Sequence, residues 1–283
     1  MIPGPRGARV VRLDGGMGTA LIARGLPADL LPEDWVLRRP WEVAAVHASH
    51  AGAGAEVLLT CTFNLARLDL AAPDLDAGEV ARRAVALARL ARPAAVAGCV
   101  GATGLAGREG RGPSPAELRE RYALACGALA AAGADLIWIE TQLDREEARA
   151  AVAAGRGTGL PVVVTAFLVP APGGMVALDG CPGVDLLEVL WRDGAAAVGV
   201  NCVAPDAALV QLVARAAARI PVSLVVKPNA GLPGEPIGPA AFATGVAAAV
   251  RAGASLAGGC CGAGADHLRM LAAATGRMPQ ARG

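Results

Sequence analysis

The chain has 283 residues with 26 Lys and Arg against 25 Asp and Glu, a net charge of +1, which leaves no basic field for a nucleic acid or an anionic membrane surface. Hydrophobic residues make up 54%, ample for a sizeable core, whereas aromatics are only 3%, too few for a base-stacking platform. Seven cysteines, an odd number in a chain large enough to fold without staples, point to thiols used as core filler, ligands or nucleophiles rather than to a disulfide framework.

Met1 to Leu13 carries arginines and prolines but no apolar h-region, so no export signal is expected and the cytoplasm is the expected compartment. The first strand is expected at Arg9–Leu13, ending at Asp14-Gly15-Gly16. A long connection with a turn at Trp35 follows, then a helix from about Pro40 to Ala53. The second strand, Glu56–Thr60, leads into a helix over Asp76–Arg92. The third, Ala94–Val100, is followed by Gly101-Ala102-Thr103-Gly104 and a helix opening at Ser114-Pro115-Ala116-Glu117, a capping box with proline at the first helical position. The fourth, Asp135–Ile139, ends at Glu140-Thr141, and Asp144 caps the next helix, which fades at Gly155.

The longest uncharged run, Gly157–Leu178, is broken by Pro161, Pro170, Pro172 and Gly173-Gly174, so it reads as a fifth strand (Pro161–Phe167) and a loop, not a membrane span. Strands six to eight fall at Ala196–Val200, Pro221–Val226 and Ala254–Ala257. Helices lie near Val184–Asp193, Pro205–Arg219, Pro239–Ala252 and Asp266–Ala274. The strands are short, apolar and without alternation, as parallel strands covered on both faces should be. Eight of them alternating with helices predict an α/β fold, a single (β/α)8 barrel over 1–283 with its core at about 9–275. An open doubly wound sheet is the alternative, but no Gly-x-Gly-x-x-Gly follows the first strand.

Barrel active sites form at the C-terminal strand ends. Those ends carry Asp14, Thr60 with Cys61, Thr103, Glu140 with Thr141, Asn201 with Cys202, Lys227 with Asn229, and Cys260 with Cys261. The stretch Gly258-Gly259-Cys260-Cys261-Gly262 stands out, because adjacent cysteines pair poorly with each other and thiolates favour zinc. Taken alone, Cys260 and Cys261 also read as buried small hydrophobes. Strands six and eight are close on the rim, so Cys202, Cys260 and Cys261 are able to converge on one ion. Three thiolates make a poor generator of hydroxide but keep a substrate thiol ionised and nucleophilic, which points to thiol alkylation. The competing reading is a closed structural site with Cys99, Cys61 or His267 as fourth ligand. Lys227, the only lysine, raises a rival reading as a Schiff-base lyase. His47 and His50, three residues apart on the first helix, are expected to be solvated or capping, and His267 structural.

Gly199-Val200-Asn201-Cys202, Lys227 through Pro233, and Gly258 through Gly262 resemble the homocysteine S-methyltransferase family. Asp14 through Thr19 and Asp135 through Thr141 are similar to its other two signatures. The resemblance covers Asp14 to about Ala274. It implies a barrel, Zn2+ on Cys202, Cys260 and Cys261, methyl transfer to homocysteine to give methionine, and Asp14, Gly15 and Glu140 around the amino-acid end. Thr60 and Asn229 join them as candidate substrate contacts, although shaping of the loop before Gly231 is the favoured role for Asn229. The chain departs from the family in having Leu59-Thr60-Cys61-Thr62-Phe63 in place of Glu-Thr-Asn-Thr-Phe, and in lacking Thr-Thr-Pro after the cysteine pair. No Asp-x-His-x-x-Gly corrinoid signature is present, so the expected partners are a small methyl donor or a separate corrinoid protein.

Overall fold

The computed structural model describes residues 9–105, 113–232 and 235–276; Pro233 of the third signature, and most of the segment read for an export signal, lie outside them. Eight parallel strands, β1 (Val11–Arg12), β2 (Val57–Leu59), β3 (Ala95–Val100), β4 (Leu136–Gln142), β5 (Val162–Ala166), β6 (Ala197–Asn201), β7 (Ser223–Lys227) and β8 (Ala254–Ala257), pair in chain order, with β8 returning to β1. A parallel bridge between Leu13 and Val57, with the Glu56 N–H donating to the Arg12 carbonyl at 2.8 Å, closes the ring between β1 and β2. The predicted (β/α)8 barrel is the fold.

Alternation along each strand divides the core in two. One set, including Val11, Leu13, Leu59, Ala97, Trp138, Val163 and Val225, fills the barrel interior. Trp138 is its bulkiest member, and the alanines around it make room for the indole. The other set meets the outer helices α1 (Pro40–Gly52), α2 (Ala77–Leu90), α3 (Pro115–Ala131), α4 (Arg145–Arg156), α5 (Gly183–Arg192), α6 (Ala207–Arg219), α7 (Pro239–Arg251) and α8 (Ala265–Thr275). The Ser114/Glu117 capping box forms, the Asp144 side chain accepts the expected N–H bond, and Asp76 caps its helix in the same way.

Several features depart from the expected elements. The connection after β1 holds two short helices, Met17–Ile22 and Pro32–Arg38. The segment after β5 forms an antiparallel hairpin, Val169–Ala171 with Gly174–Val176, rather than a plain loop. β4 runs on to Gln142 through a register shift between Ile139 and Gln142, with Thr141 at φ 56°. Such a bulge re-aims side chains at a barrel rim, and here it carries Glu140 and Thr141. Among the described residues no helix is long and apolar enough to cross a membrane.

Candidate functional site

The C-terminal strand ends surround a cavity of about 260 Å³ lined by Asp14, Gly15, Thr60, Cys61, Cys99, Glu140, Thr141, Lys227, Cys202, Cys260 and Cys261, among others. At one wall the sulfurs of Cys202, Cys260 and Cys261 lie within 4.8 Å of one another, and Cys202 Sγ is 2.7 Å from Cys260 Sγ. Two amides hold this arrangement. Asn201, wholly buried, points Nδ2 at Cys202 Sγ (3.4 Å) and Cys260 Sγ (3.6 Å), while Asn229 donates Nδ2–H to the Cys202 carbonyl (3.0 Å) and accepts the Cys261 N–H (3.1 Å). Glycine is required for the close approach of the cysteine loop. A Cβ on Gly259 would sit 2.2 Å from Ala263 Cβ, and one on Gly15 would sit 2.1 Å from the Ala263 carbonyl oxygen.

The three thiols are electrostatically unequal. Hydrogen bonds with Cys260 and Cys261, then burial, hold the proton on Cys202, while the hydrogen bonds Cys261 shares with Cys202 and Cys260 drive its thiol down to about 3. Ionising all three at once calls for a cation among them. The three sulfurs lie close enough to share one ion, and zinc is the soft-ligand metal that this donor set fits. Among the described residues no fourth His, Cys, Asp or Glu joins the group. Of the expected fourth ligands, Cys99 donates to Glu140 Oε2 at 3.5 Å and Cys61 is buried with its proton held by desolvation. His267 instead takes the Gly264 N–H on Nδ1 and places Nε2 2.9 Å from the Ile237 carbonyl, the structural role expected of it.

The same cavity holds a buried charge cluster. Lys227 Nζ is 2.9 Å from Asp14 Oδ1 and 3.2 Å from Glu140 Oε1, and it sits 5.6 Å over the Trp138 ring. Burial alone would make Lys227 shed its proton, but Asp14 and Glu140 reverse this and hold it above the usual lysine range. Burial raises Glu140 against the opposing pull of Lys227. A Schiff base needs a neutral amine, so this locked ammonium is unsuited to the lyase role.

Other candidates divide between cavity and scaffold. Thr60 lines the cavity, but its oxygen accepts the Cys99 N–H (2.9 Å) and lies 2.6 Å from Thr62 Oγ1, which ties β2 to β3. Thr103 is spent on Glu147, through its N–H at 2.6 Å and its hydroxyl at 2.7 Å. Asn229 is not among the residues that line the cavity; its side chain clamps the two cysteine loops. His47 and His50 are not solvated but buried at 0% and 2% exposure, because their shared face of α1 is the one turned toward the barrel. Desolvation lowers both, His47 to about 4. Sequence reasoning missed Glu33 and Asn64, which line the cavity and are joined by Asn64 N–H and Nδ2–H bonds to the Glu33 carboxylate (2.8 and 3.0 Å). Glu33 lies in the long connection read as turning at Trp35, so no strand end drew attention to it.

A family model described as homocysteine S-methyltransferase matches residues 11–275. The metallated form of the homocysteine methyltransferase MmuM from Escherichia coli superposes with a TM-score of 0.78 at 25% identity, over 93% of this chain and 96% of that one. The methionine synthases of Mycobacterium tuberculosis and Mycobacterium leprae are 32% and 30% identical over 95% of this chain. The chain spans only about a quarter of the length of those two relatives. A carboxyl transferase domain of Rhizobium etli pyruvate carboxylase, at TM-score 0.55 and 18% identity, shares the barrel alone. The chain belongs to the homocysteine S-methyltransferase family.

Proposed function

We propose that this chain transfers a methyl group to the thiol sulfur of homocysteine, giving methionine, with Zn2+ held by Cys202, Cys260 and Cys261. The observation that carries this reading is the convergence of those three sulfurs in a cavity that also holds a buried acid–ammonium cluster. When bound, zinc would supply an open fourth position for the acceptor thiol and keep it ionised near neutral pH. The sulfur then attacks the methyl carbon; the S–C bond forms as the methyl–donor bond breaks, and its electron pair leaves with the donor.

The chain's own residues orient and shield. Asn201 directs its amide donors at two of the sulfurs, moderating their charge, and Asn229 fixes the loops that carry them. Gly15, Thr60 and the cluster of Asp14, Lys227 and Glu140 face the amino-acid end of the acceptor. At about 260 Å³ the cavity is smaller than the about 300–1,000 Å³ of sites for drug-sized ligands, which suits a small thiol. The methyl donor is a small molecule in this reading. A second reading, favoured by the similarity to methionine synthases, is a homocysteine-binding unit methylated by a separate corrinoid protein.

Metal analysis should give about one zinc per chain, lost in Cys202→Ala and Cys261→Ala together with methyl transfer to homocysteine. A donor panel of sulfonium, betaine and methylcobalamin compounds decides between the two readings. Zinc retained by both variants would overturn the site.

A further inference from the structure

Glu140 and Thr141 are consecutive residues of β4, yet both line the cavity, which the alternation of an unbroken strand does not allow. The register shift that turns them there is held from the cavity side by Asn201, which binds Thr141 at its N–H and at its hydroxyl. From the helix side it is held by Gln142, whose side chain is wholly buried. Gln142 Nε2 donates to the Glu140 carbonyl at 3.4 Å and to the hydroxyl of Tyr122 on α3 at 3.2 Å. That hydroxyl donates in turn to Glu147 Oε1 at 2.8 Å, and Glu147, on α4, also accepts the N–H and hydroxyl of Thr103. A buried amide is costly unless its hydrogen bonds are made, and an apolar side chain would fill the same space without that cost. Gln142 spends both amide hydrogens on the bulge and on a hydroxyl tied to two helices.

The bulge aims a carboxylate that has room for a partner. Glu140 Oε2 accepts the Cys99 thiol at 3.5 Å, but the buried Oε1, 3.2 Å from Lys227 Nζ, has no hydrogen-bond partner among the described residues. Asp14 and Glu140 set two carboxylates against the one ammonium of Lys227, so an entering ammonium balances the cluster. The strength of its bond to Oε1 depends on where that oxygen points. We propose that Gln142 is a positioning residue: by pinning the Glu140 carbonyl it points Oε1 at the acceptor's α-ammonium, and so sets the preference of the site for amino-acid thiols over amine-free ones. This rests on the reading of the cavity as the acceptor site.

The test is calorimetric binding of homocysteine and of its amine-free analogue mercaptobutanoate to the zinc-loaded protein. The wild type should prefer homocysteine by about tenfold or more, the usual worth of a hydrogen bond between charged groups. Gln142→Leu keeps the bulk and removes both donors. It should shrink that preference to less than about threefold by weakening homocysteine alone, with mercaptobutanoate unchanged. Tyr122→Phe leaves the bond to Glu140 but frees the other end of the amide, so its preference should fall between, and it tests the same brace if Gln142→Leu folds poorly. Equal weakening of the two thiols, or a lowered melting temperature with the preference intact, would make Gln142 merely structural and overturn the inference. So would a wild type that binds homocysteine no better than mercaptobutanoate. Failure of the zinc-loaded wild type to bind either thiol overturns the proposed function with it.

Discussion

Truncating Asn229 separates a scaffold from a substrate contact. Its side chain grips the backbone at the end of β6 and in the loop after β8, the Cys202 carbonyl at 3.0 Å and the Cys261 N–H at 3.1 Å, beside the main-chain bonds that residues 228–230 make to Val203, Cys260 and Cys261. Asn229→Ala removes both bonds. At about 0.5–1.5 kcal/mol net for each, the loss is about 1–3 kcal/mol, and it falls on the relative position of two ligand loops rather than on the barrel. Zinc affinity should therefore drop by about 10- to 100-fold, the range in which outer-shell partners of metal ligands act. Asn229→Asp keeps the acceptor for Cys261 and loses the donor to Cys202, so it should fall between. Competition with a chromogenic chelator at neutral pH measures this, with far-UV circular dichroism unchanged. If zinc affinity stays within about threefold while KM for the thiol rises, Asn229 touches substrate and the clamp reasoning is wrong.

Asn201→Leu removes the amide N–H groups aimed at Cys202 and Cys260 and the bonds to Thr141; turnover should fall by about tenfold or more, with a smaller effect on KM, as steady-state kinetics would show. Gly15→Ala places a methyl 2.1 Å from a backbone oxygen that has no rotamer to give, so calorimetry should show destabilisation of about 1–3 kcal/mol and a lowered melting temperature. For His47, the folded state holds the ring neutral down to about 4 against an ordinary value of 6.5. The unfolded chain therefore takes up the proton first as pH falls, so stability is intact above 6.5 and erodes between 6.5 and 4. The loss approaches about 1.4 kcal/mol per pH unit, about 3 kcal/mol in all. Denaturant melts at several pH values should show a shallower decline for His47→Leu, and parallel curves would refute the assignment.

The barrel was legible because its signal is repeated eight times: buried β-branched runs closed by Gly and Asp punctuation need no knowledge of tertiary contacts. The sulfur cluster was legible for a related reason, since strand order alone brings the ends of β6 and β8 together. What stayed hidden depends on direction. His47 and His50 share a face of α1 at any helical spacing, but only packing shows that this face turns inward. Asn229 sits at a strand end like the true cavity residues, and its role emerges only from two backbone partners on different loops. Glu33 needed the fold of a connection with no periodicity to reach the cavity. Lys227 was visible as a single lysine at a strand end, yet its chemistry is decided by Asp14, some two hundred residues away in sequence.

Two residues of this rim hold left-handed backbone without being glycine, Thr141 at φ 56° and Cys202 at φ 57°. Each such conformation costs about 1–3 kcal/mol and persists only where its surroundings over-determine it. The same side chain restrains both. Asn201 accepts the Thr141 N–H at 3.0 Å, donates to its hydroxyl at 2.6 Å, and in chain precedes Cys202, which returns its own N–H to the Lys227 carbonyl at 3.1 Å. The bulge that aims Glu140 and the turn that aims Cys202 are therefore joined through one amide, and the backbone of Lys227 completes the link. Relaxing either strained residue would shift the acid–ammonium cluster relative to the sulfurs. The strain thus sets the separation between the sulfurs and the acid–ammonium cluster, the quantity on which binding of the proposed acceptor would depend.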